Sequence, residues 1–139
     1  MQAVRTVYRY WVALLFAAVV VQIGAAGYGA FNAASNIDEK KPLVEKTFDD
    51  GFDFHNGFGY AVFLGAVILF LLALGGQLGK QHVLRILGVP VLVAIQIVLA
   101  WAGEDHAVVG IFHPIVAFLI LGFVGSLAFA AWRKVRAIG

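Results

Sequence analysis

Four long apolar segments, separated by shorter polar ones, dominate the chain. They cover about residues 11–31, 55–78, 84–102 and 113–132. Each is close to the roughly 20 residues that an α-helix needs to cross the hydrocarbon of a bilayer. Because backbone polar groups in lipid must bond within the protein, the pattern predicts an all-α membrane protein. We expect an up-down bundle of four transmembrane helices, in a single domain over residues 1–139.

The first apolar segment follows a basic start, as the apolar part of a signal peptide does. It is longer than the apolar part of a typical signal peptide, so we expect it to be retained as a span. A long outer connection, about residues 34–54, then separates the first two spans.

The amino-acid composition also indicates that most of the protein surface faces lipid. The chain is 62% hydrophobic and 13% charged, with a mean hydropathy of +0.91. Cysteine is absent, which excludes disulfides, thiolate metal sites, iron–sulfur clusters and covalently attached haem. The basic residues are too few and too dispersed for a nucleic-acid surface, so membrane topology explains them better.

Charge is distributed unevenly between the two sides of the predicted bundle. Three regions contain basic and no acidic residues: Arg5, Arg9, Lys80, Arg85, Arg133, Lys134 and Arg136. The other two connections hold all 8 acids: Asp38, Glu39, Glu45, Asp49, Asp50, Asp53, Glu104 and Asp105. By the positive-inside rule, both termini are expected in the cytoplasm, in a protein integral to the bacterial inner membrane.

Two Phe-His pairs, Phe54-His55 and Phe112-His113, open the second and fourth segments. A histidine is costly near hydrocarbon, and its neutral imidazole is a common metal ligand. The two helices run in the same direction, so both histidines are expected at one depth near helix N-termini, where the helix dipole disfavours the imidazolium. Facing each other across the outer half of the bundle, they could hold one metal ion from both sides.

An internal repeat accompanies these histidines. Each is followed one turn later by a small residue, Gly59 or Ala117, which leaves room for a flat macrocycle. The first and third segments also resemble each other around Gln22 and Gln96. The chain is therefore interpreted as two pseudo-repeated helical hairpins. We expect the two glutamines to bond between helices or to contact a cofactor.

Haem fits this residue set better than zinc does. A zinc site needs three or four protein ligands, whereas a bis-histidine haem needs only His55 and His113. The remaining histidines are expected to be a loop residue, His82, and a solvated residue, His106. The second ring nitrogens of the two ligands are expected to bond to nearby polar side chains. The candidates are Asp53, Asn56, Glu104 and Asp105.

The motifs His55-Asn56-Gly57-Phe58-Gly59 and Phe112-His113-Pro114 carry a resemblance to known proteins. The chain resembles the four-helix haem-binding unit found in each half of haem A synthase. It also looks like a functionally uncharacterised family of small bacterial four-helix membrane proteins with histidines at these places. The resemblance implies that His55 and His113 are axial ligands. Phe52 and Asn56 stand where the synthase pattern has a glutamate and an arginine, so haem oxidation is not expected.

The sequence therefore predicts a b-type cytochrome that binds haem b non-covalently and transfers electrons, because two axial histidines leave iron no open position. Its expected partners are the lipid bilayer and a quinone or a larger redox complex; oligomerisation is left open. An electron carrier or a subunit is favoured over a stand-alone enzyme. One alternative is an accessory subunit of a respiratory or photosynthetic complex without a cofactor. Another is pigment binding, in which each histidine would face outward to its own chlorophyll-type magnesium.

Overall fold

Five helices make up the computed structural model, which describes residues 1–37 and 44–136, with side chains to Arg133. They are α1 (Gln2–Ser35), α2 (Glu45–Gly75), α3 (Lys80–Asp105), the single turn α4 (Ala107–Gly110) and α5 (Phe112–Arg136). Helices α1 and α3 each pack against both α2 and α5. The described part of the chain is thus built around four long helices.

Four helical segments among the described residues are long and apolar enough to cross a membrane: Gln2–Ser35, Glu45–Gly75, Lys80–Asp105 and Ala107–Arg133. The predicted all-helical fold is confirmed, and the four long helices have the length and apolar composition that membrane spans require. Large apolar side chains such as Leu64, Phe118 and Phe129 are more than half exposed. Exposed apolar side chains of this size on a long apolar helix are suited to contact with lipid.

The helices extend well beyond the predicted spans. Helix α2 begins at Glu45, so residues 45–54 are helical where a loop was expected. Residues 38–43 of that connection lie outside the described residues. Acidic residues favour the first turns of a helix through its dipole, and Lys46 pairs with Asp50 one turn later at 2.8 Å. The hydropathy of the sequence identified His55 as the start of the apolar segment. This residue lies ten positions after the first residue of α2.

One buried stripe on each long helix forms the core. Its positions recur every three or four residues, as expected for one face of an α-helix. The members are Tyr8, Val12, Leu15 and Val19 on α1, Val62, Ala66, Leu69 and Ala73 on α2, Ile86, Val89 and Val93 on α3, and Ile120, Val124 and Leu127 on α5. Six of them are completely buried, at least one on each long helix: Val12 on α1, Ala66, Leu69 and Ala73 on α2, Ile86 on α3 and Val124 on α5.

At one end of the bundle, polar contacts join α1 to α2 and α3. The guanidinium of Arg5 donates through Nε to the carbonyl of Gly76 at 2.9 Å, at the C-terminus of α2. The hydroxyl of Tyr8 lies 3.1 Å from Nε2 of His82. His82 is the third residue of α3, so its assignment to a loop was wrong. We call this the basic end, since Arg5, Arg9, Lys80 and Arg85 lie in the helix segments that meet there.

Contacts between α1 and α2 continue at the opposite end. A Cβ on Gly29 would lie 2.7 Å from the ring of Phe52, so the glycine allows this ring to lie against α1. The side-chain amide of Asn32 donates to the carbonyl of Thr47 at 3.3 Å. We call this the acidic end, after the exposed residues Glu45, Asp49, Asp50, Asp53, Glu104 and Asp105.

Candidate functional site

A cavity of about 300 Å³ lies between the four long helices, in the half of the bundle toward the acidic end. It begins where the buried stripes leave off: Val19, Val62, Val93 and Ile120 form its floor. One turn further toward the acidic end, the stripes on α1 and α3 reach Gln22 and Gln96. The histidines lie two turns from the floor on α2 and α5. All six candidate site residues line this cavity: Gln22, His55, Gly59, Gln96, His113 and Ala117.

The two histidines lie side by side in this cavity. Their ring centres are 6.1 Å apart, and the ring planes are inclined at 69°. Both are partly buried. The rings come from α2 and α5, which do not pack directly on each other within the described residues. The space between α2 and α5 is therefore spanned by the imidazoles.

A main-chain carbonyl holds one nitrogen of each ring. Nδ1 of His55 lies 3.1 Å from the carbonyl oxygen of Gln22, and Nδ1 of His113 lies 3.0 Å from that of Gln96. A carbonyl can only accept, so Nδ1 must be the protonated nitrogen in each case. When such a ring is neutral, its Nε2 keeps a lone pair, which is the form that binds metal.

These carbonyls replace the partners expected from the sequence. Asp53, Asn56, Glu104 and Asp105 are exposed, and the Nδ1 bonds of both histidines go to glutamine main chains. The expected position of His55 at a helix N-terminus was also wrong, because α2 starts ten residues earlier. His113 is the second residue of α5, as expected. The helix dipole therefore acts on His113 and not on His55.

The glutamine side chains add two further polar groups. Nε2 of Gln22 donates to the carbonyl oxygen of His55 at 2.7 Å, which confirms the expected bond between helices for this residue. Oε1 of Gln22 and Oε1 of Gln96 are buried and have no hydrogen-bond partner among the described residues. A buried carbonyl left unpaired costs about 1–3 kcal/mol, so both oxygens are suited to interact with a group in the cavity.

Small residues leave the room that these contacts need. A Cβ on Gly59 would approach Nε2 of Gln22 to 3.1 Å, closer than an ordinary contact. The absence of a side chain at Gly59 thus lets the Gln22 amide reach the carbonyl of His55. Ala117, the corresponding residue on α5, also lines the cavity.

Aromatic residues that the sequence did not indicate as site residues also line the cavity. They are Tyr60, Trp101 and Phe118, each more than half exposed. Tyr60 and Phe118 each follow directly on a small residue of the predicted site, Gly59 or Ala117. This shared position was the signal available in the sequence. Trp101 lies near the C-terminus of α3.

Phe52 lies against His55. The two rings meet edge to face, with centres 6.2 Å apart. His106 is exposed between α3 and α4. Within the described residues, no group of three or more His, Cys, Asp or Glu side chains could hold a metal ion. The two imidazole nitrogens and the two unpaired amide oxygens are therefore the central donors, and Asn56, Tyr60 and Glu104 add further polar groups to the lining.

This donor set fits a flat metal complex that brings its own equatorial ligands and takes one nitrogen from each side. Both Nε2 atoms are available to such a group, and the glycine and alanine beside them leave space. Comparison with known proteins gives no match, either to a family model, to a curated protein or to a solved structure.

Proposed function

We propose that this protein is a small membrane cytochrome of the b type, in which His55 and His113 ligate one haem b and the protein transfers electrons. One observation carries the proposal: two imidazoles from different helices adjoin in one cavity, and both Nδ1 atoms are engaged by main-chain carbonyls. This pattern leaves the two Nε2 atoms as metal ligands.

The separation of the rings suits shared ligation. An imidazole nitrogen binds a metal at about 2.0 Å, and the ring centre lies about 1.1 Å further, so two rings on opposite sides of one metal have centres about 6 Å apart. The observed separation is 6.1 Å. The same distance speaks against pigment binding, which would have turned the two histidines outward to separate magnesium ions.

Electron transfer follows from the number of ligands. Haem supplies a one-electron iron couple, and its reactivity depends on whether the protein leaves an axial position open. Here His55 and His113 would occupy both positions. The carboxylate of the synthase pattern is replaced by Phe52, which packs edge-on against His55 and offers no proton-transfer group. Electron exchange with a quinone or a larger redox complex is the role that these residues support.

The internal repeat supports a site shared equally by two hairpins. Residues of α1 and α3 that line the cavity pair at a constant sequence separation: Val19 with Val93, Gln22 with Gln96, Ile23 with Ile97 and Ala26 with Ala100. Residues of α2 and α5 do the same: His55 with His113, Gly59 with Ala117, Tyr60 with Phe118 and Val62 with Ile120. We infer two pseudo-repeated hairpins in an up-down bundle, which would present equivalent groups to the two faces of a macrocycle.

A visible spectrum tests the proposal. The full chain, expressed with sufficient haem and purified in detergent, should show a b-type absorption band when reduced with dithionite. His55→Ala and His113→Ala should each abolish the low-spin band, because each removes one axial ligand. His106→Ala is the matched control: this histidine is exposed outside the cavity, and the band should be retained.

Two results would count against the proposal. A featureless spectrum from well-folded protein, shown to be helical by circular dichroism, would favour the accessory subunit without a cofactor. A normal band in either His→Ala variant of the cavity would show that haem binds elsewhere.

A further inference from the structure

Two buried amide oxygens in the cavity are not explained by ligation of haem. Oε1 of Gln22 and Oε1 of Gln96 lack partners among the described residues, and both glutamines line the cavity. The porphyrin ring of a haem has no N–H group once iron is bound, so it cannot donate to them. Their effect on such a group must be electrostatic.

The orientation of the Gln22 amide is fixed by its other half. Nε2 donates to the carbonyl oxygen of His55 at 2.7 Å. Exchanging the nitrogen and oxygen would place two carbonyl oxygens against each other, so the flipped amide is excluded. Oε1 is therefore the buried, unpaired atom, and its partial negative charge belongs to the cavity wall.

We propose that Gln22 and Gln96 lower the reduction potential of the cofactor by stabilising positive charge in the cavity. The inference rests on the proposed haem site. Ferric haem carries one net positive charge on its iron–porphyrin core, and ferrous haem carries none. The negative ends of two amide dipoles favour the charged state, and in a poorly polarisable interior this interaction is stronger than in water. Favouring the oxidised state makes reduction harder, so the potential falls.

The main-chain contacts make this inference separable from ligation. The carbonyls that hold His55 and His113 belong to the backbones of Gln22 and Gln96. A substitution at either position removes the side-chain amide and retains the carbonyl. Methionine has a similar length without the amide, so Gln22→Met and Gln96→Met change the charge in the wall while both ring tautomers stay fixed.

Redox titration of the purified holoprotein tests the proposal. At a fixed solution potential, each variant should raise the ratio of ferrous to ferric haem about threefold. The double variant should raise it about tenfold, which corresponds to about 59 mV for a one-electron couple. Gln81→Met is the matched control: Gln81 is exposed near the start of α3, about 22 Å along the helix from Gln96. Its potential should equal that of the parent protein.

A second measurement uses the protein without haem. Because each substitution removes a buried acceptor that has no partner, Gln96→Met should unfold at a temperature equal to or above that of the parent. Gln22→Met also loses the hydrogen bond to the carbonyl of His55. If Gln22→Met therefore binds haem poorly, the reduction potential of Gln96→Met decides the test. Unchanged potentials in haem-loaded variants would overturn this inference and leave ligation intact. Failure of the parent protein to bind haem would instead overturn the proposed function.

Discussion

At the scale of single residues, each histidine of the cavity depends on a main-chain oxygen for its orientation. The bonds run from Nδ1 of His55 to Gln22 and from Nδ1 of His113 to Gln96. The partner of a ligating imidazole commonly fixes both its tautomer and its ring position. A carbonyl partner withstands any side-chain substitution that leaves the helix intact, so the orientation of both rings is protected against mutation at positions 22 and 96.

A glycine beside His55 offers a direct test of the cavity. In Gly59→Leu the new side chain would enter the space beside the Gln22 amide, where even a Cβ comes within 3.1 Å of Nε2. We expect haem affinity to fall at least tenfold, because the cavity is filled from one side. Haem titration followed by absorbance measures this change.

Gly57→Leu is the control for this substitution. Gly57 is exposed two residues earlier on the same helix, and a Cβ there meets nothing within 4 Å. The haem affinity of Gly57→Leu should match that of the parent protein. Equal haem binding by the two leucine variants would show that the cofactor does not occupy this cavity.

The residue pattern placed His55, His113, Gln22 and Gln96 around one cavity because each continues a buried helical stripe. It did not identify the acceptors of the Nδ1 bonds. Every residue carries a main-chain carbonyl, so the amino-acid type gives no sign of which one a histidine will meet. The rotation of α1 relative to α2 decides that, and polar side chains such as Asp53 were therefore the wrong candidates.

At the scale of helices, α1 and α2 remain packed together beyond their apolar segments. Phe52 lies against Gly29, and Asn32 bonds to the carbonyl of Thr47. Phe52 also contacts His55. The packing of these polar helix ends is thus connected to the site through a single aromatic ring.

Glycine-to-alanine substitutions measure this packing. Gly29→Ala would place a Cβ 2.7 Å from the Phe52 ring, and we expect a loss of about 1–3 kcal/mol in the free energy of unfolding, as for other overpacked contacts. Unfolding in detergent, followed by circular dichroism, gives the value.

Gly27→Ala serves as the reference for that variant. A Cβ at Gly27 has no neighbour within 4 Å, so the substitution should be neutral or stabilise the helix by up to about 1 kcal/mol. If Gly29→Ala proves as stable as Gly27→Ala, the Phe52 contact contributes nothing to the packing of α1 and α2.

The number of membrane-spanning helices was predictable because apolar runs of this length have few alternatives in a short chain. The ends were not. Hydropathy reports where lipid-compatible residues begin, whereas a helix continues for as long as its backbone bonds and local side chains favour it. Residues 45–54 are polar and helical, supported by early acidic residues and the Lys46–Asp50 pair.

At the scale of the whole molecule, the separation of charge predicts orientation. Arg5, Arg9, Lys80 and Arg85 belong to the basic end, and the positive-inside rule places that end in the cytoplasm. The cavity would then lie in the outer half of the membrane, accessible to electron partners at the extracytoplasmic surface.

Single cysteines test this orientation, since the chain has none of its own. Ser35→Cys at the acidic end and Gln81→Cys near the basic end are both at exposed positions. In intact spheroplasts a membrane-impermeant maleimide should label the first and spare the second; both should be labelled after permeabilisation. If only Gln81→Cys is labelled before permeabilisation, the protein has the opposite orientation in the membrane.

The completely buried side chains Val12, Leu69, Ile86 and Val124 fill the bundle between the cavity and the basic end. Packed aliphatic groups exclude water and conduct neither protons nor ions, so this half of the bundle acts as an electrical insulator. An elementary charge gains about 2.3 kcal/mol for each 100 mV that it crosses. The transmembrane voltage would be divided between this half and the half that holds the cavity, and an electron reaching the cavity from the acidic end would cross only the outer share of it. Charging this site would therefore respond to only part of the membrane voltage.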